Sequence, residues 1–320
     1  MDGLRVQELA GRVLGNVERV MVGKRAAIET ILVAMFSAGH VLVEDVPGVG
    51  KTTLVRAMAV SVGCEFRRIQ FTPDLLPSDV VGISLFHQPS GEFRFQPGPI
   101  MGQVVLADEI NRTSPKTQSS LLEAMEERQV TVDGRSYPLP QPFLLLATQN
   151  PVEYEGTFPL PEAQLDRFLL RIRLGYPGPA EEREVLSRLE HEHPLQALTA
   201  VAGPAEVLAA QGEVKKVFVH NDLRAYLVRI VERTRNHPDV FLGASPRGSI
   251  ALFRSARALA AIRGRQFVLP DDVKAMAVPV LSHRLLMRAE AELRGMKAEN
   301  VIEGLLREIR VPSGGEHAPH

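Results

Sequence analysis

A single cysteine, Cys64, leaves no partner for an intrachain disulfide and no basis for a thiolate-built zinc site. It is expected as a small apolar residue beside the core. Neither sign of charge is in excess. With 37 Lys and Arg against 38 Asp and Glu the net charge is −1, so no global field favours nucleic acid or a membrane surface. Aromatic residues are scarce and form no extended aromatic–basic stripe of the kind that binds single strands. No run approaches the ~18 apolar residues of a membrane span. Residues 1–22 alternate charged and apolar side chains at helical spacing, unlike the continuous apolar stretch of a signal peptide. These absences predict a cytoplasmic protein with no membrane insertion. Metal-ligand spacing is also missing: the histidines form no H-E-x-x-H pattern, and Glu190-His-Glu-His193 reads as a solvated helix end before Pro194.

What is present is alternation. Strand-like apolar runs recur at 41–43, 66–70, 104–107, 143–147 and 168–174, separated by helical patterns such as 51–62 and 114–128. This predicts a three-layer α/β domain with a mainly parallel five-stranded sheet. Ser114-Pro115 reads as a helix start, with the hydroxyl as cap. Two hairpin signals interrupt the order, one over 85–95 turning at Gln88 to Gly91, the other over 130–137 turning at Asp133-Gly134. Phe86, Phe93 and Phe95 on the first hairpin are expected to seal it against the core, the alternative being a mobile apolar tip that engages substrate. After Tyr176-Pro-Gly-Pro179 the spacing becomes almost wholly helical, as at 223–235, 249–262 and 271–287. The predicted division is an α/β domain over 1–178, a smaller all-helical lid over 179–311 and a disordered tail over 312–320.

The string VLVEDVPGVGKTT (41–53) carries the chemistry. A buried strand feeds a turn in which Pro47, Gly48, Val49 and Gly50 let successive N–H groups point at an anion, beside a helix N-terminus. Lys51 is placed to reach the β- and γ-phosphates of ATP and Thr52 to give a hydroxyl to Mg²⁺, and Thr53 is counted with them among the nucleotide-binding residues. One departure stands out: the phosphate-loop pattern begins with Gly, and this chain has Asp45. A second apolar strand ends in Asp108 and Glu109, a carboxylate for Mg²⁺ and one to polarise the attacking water, or else a solvated acidic turn. A third ends in Asn150, placed to orient that water or simply to form a turn before Pro151.

In this order the phosphate loop, Asp108-Glu109, Asn150, LDRF (165–168) and ASPRG (244–248) resemble AAA+ ATPases. More narrowly, ADEINRTSPKTQ (107–118), ATQNP (147–151) and FPLPEAQLDRF (158–168) closely resemble the MoxR family. The resemblance covers nearly the whole chain. It implies an ATPase domain with a helical lid, assembly into a homo-oligomeric ring, commonly a hexamer, and chaperone-like work on a client protein. It also implies pairing with a von Willebrand factor A domain protein and places Val22 and Gly23 near the adenine. Both hairpins match insertions of this branch. Arg167, at the end of a short helix on the domain flank, would serve a neighbouring subunit as an arginine finger; otherwise it pairs with Asp166 on the surface. Arg247 matches the sensor-2 arginine, with its action on its own or a neighbour's nucleotide left open. Arg112 is a further candidate for cross-subunit contact, or a solvated loop charge. Arg254, Arg257, Arg263 and Arg265 are expected to face solvent or a neighbour.

Three rivals share the same engine. A nucleic-acid motor or loader is disfavoured by the neutral charge, and a nucleotide-gated scaffold without turnover by the intact Asp108-Glu109. A chelatase-type subunit for metal insertion would differ only in its partner.

Overall fold

The computed structural model describes residues 2–89, 91–150, 157–190 and 194–312. Two helices, α1 (Asp2–Glu18) and α2 (Arg25–Phe36), lead into β1 (Val41–Glu44), α3 (Lys51–Ser61) and β2 (Phe66–Gln70). A short helix α4 (Pro77–Val81) precedes the hairpin of β3 (Gly82–His87) and β4 (Glu92–Pro97). Then come β5 (Val104–Asp108), α5 (Pro115–Glu127) and a second hairpin, β6 (Gln129–Val132) with β7 (Arg135–Pro138). β8 (Leu144–Gln149), α6 (Glu162–Leu165) and β9 (Leu170–Ile172) complete this half.

The remainder holds α7 (Pro179–Leu189), α8 (Pro204–Val214), α9 (Asn221–Arg235), β10 (Val240–Leu242) and α10 (Pro246–Ile262). It ends with α11 (Pro270–Leu281), β11 (Leu286–Met287), α12 (Ala289–Leu293) and α13 (Ala298–Glu308).

The sheet is parallel throughout, in the order β2-β5-β8-β1-β9. Its central strands read as unbroken apolar runs because helices cover both faces. Edge strand β2 keeps Arg67 and Arg68 exposed, charges that discourage pairing with another chain. Register sets Glu44 beside Gln149 and Gln70 beside Asp108, so polar residues gather along the carboxyl edge. On one face α1 packs against α2, α3, α8 and α10, so a single apolar core runs from the sheet into the helical region. On the other face Leu121, Leu122 and Met125 of α5 join Phe71, Ile100 and Leu145 in a second cluster. Cys64 is buried, and burial pushes its thiol up to about 11.

Several local expectations change. β8 begins one residue later than the apolar run and extends through Thr148 and Gln149, whose polar side chains do not prevent pairing with β1. β9 shrinks to three residues because Phe168 closes a turn onto Leu165 and Leu169 donates to the His40 carbonyl. The helix read over 271–287 stops at Leu281, and a 3₁₀ turn at Ser282–Arg284 feeds β11. β11 pairs antiparallel with β10, so the second half is not wholly helical. Ser114 sits at the start of α5, but its hydroxyl pairs with Thr117 Oγ1 at 3.3 Å and caps no backbone N–H.

The hairpin phenylalanines divide. Phe95 stacks on Tyr137 of the neighbouring hairpin, with centroids 3.9 Å apart. Phe86 and Phe93 are register partners on the same face, 5.3 Å apart, and remain 54% and 68% exposed. Core packing therefore holds for Phe95 and fails for the other two, because β6–β7 reaches only the base of the first hairpin. The turn residue Ser90, the segments 151–156 and 191–193, and 313–320 of the tail lie outside the described residues.

Candidate nucleotide site and a distant arginine cleft

β1 delivers the loop to the sheet's carboxyl edge. Gly48 and Gly50 take left-handed backbone angles, φ +85° and +86°, which side chains beyond glycine rarely adopt. Gly50 opens α3, and no side chain caps that N-terminus, leaving its N–H groups available to an anion. Lys51 is folded back, its Nζ donating to the Asp45 carbonyl at 2.9 Å and the Val46 carbonyl at 3.2 Å. Thr52 and Thr53 lie on the first turn of α3. A cavity of about 200 Å³ adjoins the loop, lined by Met21, Val22, Gly48, Gly50, Thr53 and Pro177 among others. Val22 thus joins the loop. Gly23 packs beside it, where an added Cβ would strike the Glu181 carboxylate.

Asp45, the residue that breaks the phosphate-loop pattern, is buried and structural. Its Oδ2 accepts the N–H groups of Leu174 and Gly175, and Oδ1 that of Val46. One carboxylate therefore pins the start of the loop to the chain leaving β9. Replacing Asp45 by Ala would strand buried donors, and a loss of about 2–4 kcal/mol in denaturant unfolding is expected; unchanged stability would show that the N–H groups find water.

Asp108 ends β5 beside β8. Thr148 Oγ1 donates to its Oδ1 at 2.6 Å, and Arg68 pairs with Oδ2 at 2.6 Å. Glu109 turns off the strand with φ +58°, an uncommon angle for this residue type. Its N–H donates to Thr148 Oγ1, while its carboxylate accepts from Gln70 Nε2 at 2.9 Å and pairs with Arg112 Nε at 3.2 Å. Asn150 lies buried just past β8. The loop, Asp108, Glu109 and Asn150 thus share one edge. Arg68, Gln70 and Thr148 belong to the same cluster and were not singled out from sequence; two polar residues facing each other in a β2–β5 pair were the available signal.

Arg167 and Arg247 are elsewhere. They line a cavity of about 240 Å³ with Gly39, His40, Glu126 and Arg254, at the opposite end of β1 from the loop. Four strand residues alone separate the two ends by roughly 13 Å. Arg167 Nε lies 3.3 Å from Glu126 Oε2, an ion pair angled too poorly for a hydrogen bond, and Arg247 Nη2 donates to Glu126 Oε1 at 2.6 Å. Asp166 is not the partner of Arg167: it accepts from Arg284 Nε at 2.8 Å and Ser245 Oγ at 2.7 Å. His40 accepts the Leu145 N–H on Nδ1, so Nε2 donates to the Met125 carbonyl; burial lowers its pKa to about 4 and keeps it neutral.

The chain's likeness to known proteins agrees with this geometry. Residues 40–170 match the ATPase family associated with various cellular activities (AAA), and residues 232–304 match the AAA lid domain. YeaC of Bacillus subtilis, an uncharacterized protein, is 53% identical, covering 95% of each chain. Chaperone MoxR1 of Mycobacterium tuberculosis is 44% identical over 94% of this chain and 82% of its own. A provisionally assigned ATPase of Cytophaga hutchinsonii, solved by crystallography, superposes with a TM-score of 0.91 at 39% identity, covering 98% and 97% of the two chains. The chain belongs to the MoxR family of AAA+ ATPases. It is an ATP hydrolase.

The residues of this MoxR-family ATPase fit a magnesium nucleotide. The uncapped α3 N-terminus suits phosphate, and the Thr52 hydroxyl and the Asp108 carboxylate, here engaged by Thr148 and Arg68, are oxygen donors of the kind that would hold Mg²⁺, which takes few protein ligands. Among the described residues no group of three or more His, Cys, Asp or Glu side chains forms a metal cluster. No described helix is long and apolar enough to cross a membrane.

Other arginines of the MoxR-family chain are committed internally. Arg263 and Arg265 clamp the buried Asp272 at 3.1 and 2.6 Å; Arg263 still faces solvent, its side chain 40% exposed, and Arg265 is half-buried. Arg254 donates to the Ser37 and Ala38 carbonyls at the end of α2. Arg257 lies over the Phe253 ring.

Proposed function

We propose that ATP binds between two copies of this chain, gripped by the phosphate loop of one and by Arg167 and Arg247 of the next. The supporting observation is placement: both arginines stand together at the sheet edge opposite their own loop, out of reach of a nucleotide bound there. Both would then act in trans, and repetition of such a head-to-tail contact closes a ring, a hexamer on the family pattern.

Within one interface Lys51 holds the β- and γ-phosphates and the α3 N–H groups cradle them. Glu109 takes the proton of the attacking water, which Asn150 orients. Magnesium, when bound at Asp108 and Thr52, neutralises charge on the phosphate oxygens. The guanidinium groups offset charge developing on the γ-phosphoryl group. Adenine would sit in the cavity lined by Val22, with Gly23 shaping its wall.

Hydrolysis would drive chaperone-like remodelling or activation of a client protein in the cytoplasm, alongside a von Willebrand factor A domain partner. The exposed Phe86–Phe93 pair gives such a client an apolar contact. A nucleic-acid motor is the weaker reading because the lid arginines are spent on Asp272 and on backbone carbonyls. Lys51→Ala is expected to weaken ATP binding by at least about 100-fold, the loss of a buried charged contact; calorimetry showing unchanged affinity would remove the phosphate-loop assignment.

A further inference from the structure

Helix α5 ends against the electrostatic rule for helices. Its last turn carries Glu126 and Glu127 with no basic residue, although the helix dipole puts negative potential there. Arg128 follows as the C-cap, but its guanidinium donates to the Ala38 carbonyl, so Glu126 looks for partners elsewhere in the fold. Glu126 has two. Its Oε1 accepts from Arg247 Nη2, and its Oε2 pairs with Arg167 Nε. One carboxylate thus holds guanidinium groups from two separate segments, the chain entering β9 and the first turn of α10.

The same segments are tied again at their roots. Asp166, next to Arg167, accepts from Ser245 Oγ, two residues before Arg247, and from the buried Arg284. Arg284 is itself anchored on the Phe168 and Val280 carbonyls. Without Glu126 the cleft would set Arg128, Arg167, Arg247, Arg254 and Arg284 against Asp166 alone, and like charges at this spacing repel. Glu126 engages one nitrogen of each fork. Since an arginine carries five N–H donors, the remaining ones stay available to a phosphate.

We propose that Glu126 is a positioning residue for hydrolysis, holding Arg167 and Arg247 side by side as one two-pronged grip for the terminal phosphate of ATP on a neighbouring copy. It rests on the cross-subunit reading above. Glu126 makes and breaks no bond; it fixes where two positive charges stand before the phosphate meets them.

The test compares kcat and KM for ATP in Glu126→Gln and Glu126→Asp, at concentrations where sedimentation shows full assembly. Gln keeps the shape and one acceptor but loses the charge; Asp keeps the charge but shortens the reach. For Glu126→Gln, kcat is expected to fall about tenfold with KM within about twofold, because the phosphate loop lies at the other sheet edge. Glu126→Asp should fall between the two. Melting temperature should fall by no more than a few degrees, since the part-exposed pairs that Glu126 makes contribute at most about 1 kcal/mol each and their loss is partly offset by relief of the dipole penalty. On an Arg247→Ala background the same Gln substitution should cost much less, as half its task is gone, a non-additivity that a purely structural role does not produce. A kcat within twofold of wild type, a rise in turnover, or equal cost on both backgrounds would overturn the role of Glu126 while Arg167→Ala stays inactive. Full activity of assembled Arg167→Ala would instead bring down the cross-subunit reading on which it stands.

Discussion

Glu109→Gln should bind ATP normally and hydrolyse it about 10²–10⁴-fold more slowly, the span a general base contributes. The substitution keeps the side chain's shape and an oxygen able to accept from Gln70, so the edge of the sheet should stay in place. Binding should persist because the phosphate loop holds its own geometry through Asp45 and Lys51. The measurement is phosphate release alongside nucleotide affinity. Turnover within tenfold of wild type would reassign the base. The same variant, loaded with ATP, should retain the client in pull-down from the source cell.

Arg167→Ala should lower turnover by about 10³–10⁵-fold, as removal of an arginine finger does in related phosphoryl transfer. Stability should hardly change. The Arg167 side chain pairs with Glu126 in a part-exposed contact of poor angle, and such pairs contribute at most about 1 kcal/mol. ATP affinity of the variant's own loop should also persist. A large loss of rate with an intact fold and intact loop is what separates a trans-acting group from a surface ion pair. Assembled Arg167→Ala with undiminished turnover would return the residue to the surface-pair reading.

The legible parts of this molecule are those where chemistry and periodicity coincide along a short stretch. β1, the loop and α3 read directly because a strand covered on both faces is an unbroken apolar run and the glycines follow at once. β5 ending in Asp108 and Glu109 read for the same reason. Long-range contacts were not legible. Asp45 looked like a flaw in the motif until Leu174 and Gly175, about 130 positions away, supplied its donors. Arg68 and Gln70 acquire meaning only from the β2–β5 register. The acid that Arg263 and Arg265 clamp, Asp272, lies on the next helix, so the pairing could not be read even where the surface placement of Arg263 could. Hairpin aromatics followed periodicity at the base but not at the tip, where no element among the described residues covers Phe86 and Phe93. Secondary structure failed where tertiary contacts override it, as when Arg284 is drawn inward by Asp166 and Phe168 and ends the helical pattern of α11.

Shared ownership of each nucleotide is tested most directly by mixing two inactive proteins, Arg167→Ala and Lys51→Ala. Each lacks one half of the interface, and at equal proportions about one quarter of the contacts in a randomly mixed ring join an intact loop to an intact arginine. Hydrolysis should return in the mixture to a comparable fraction of the wild-type rate. Rings that form, mix and stay inactive would contradict a nucleotide held between two copies, as would full-rate hydrolysis by isolated wild-type protomers.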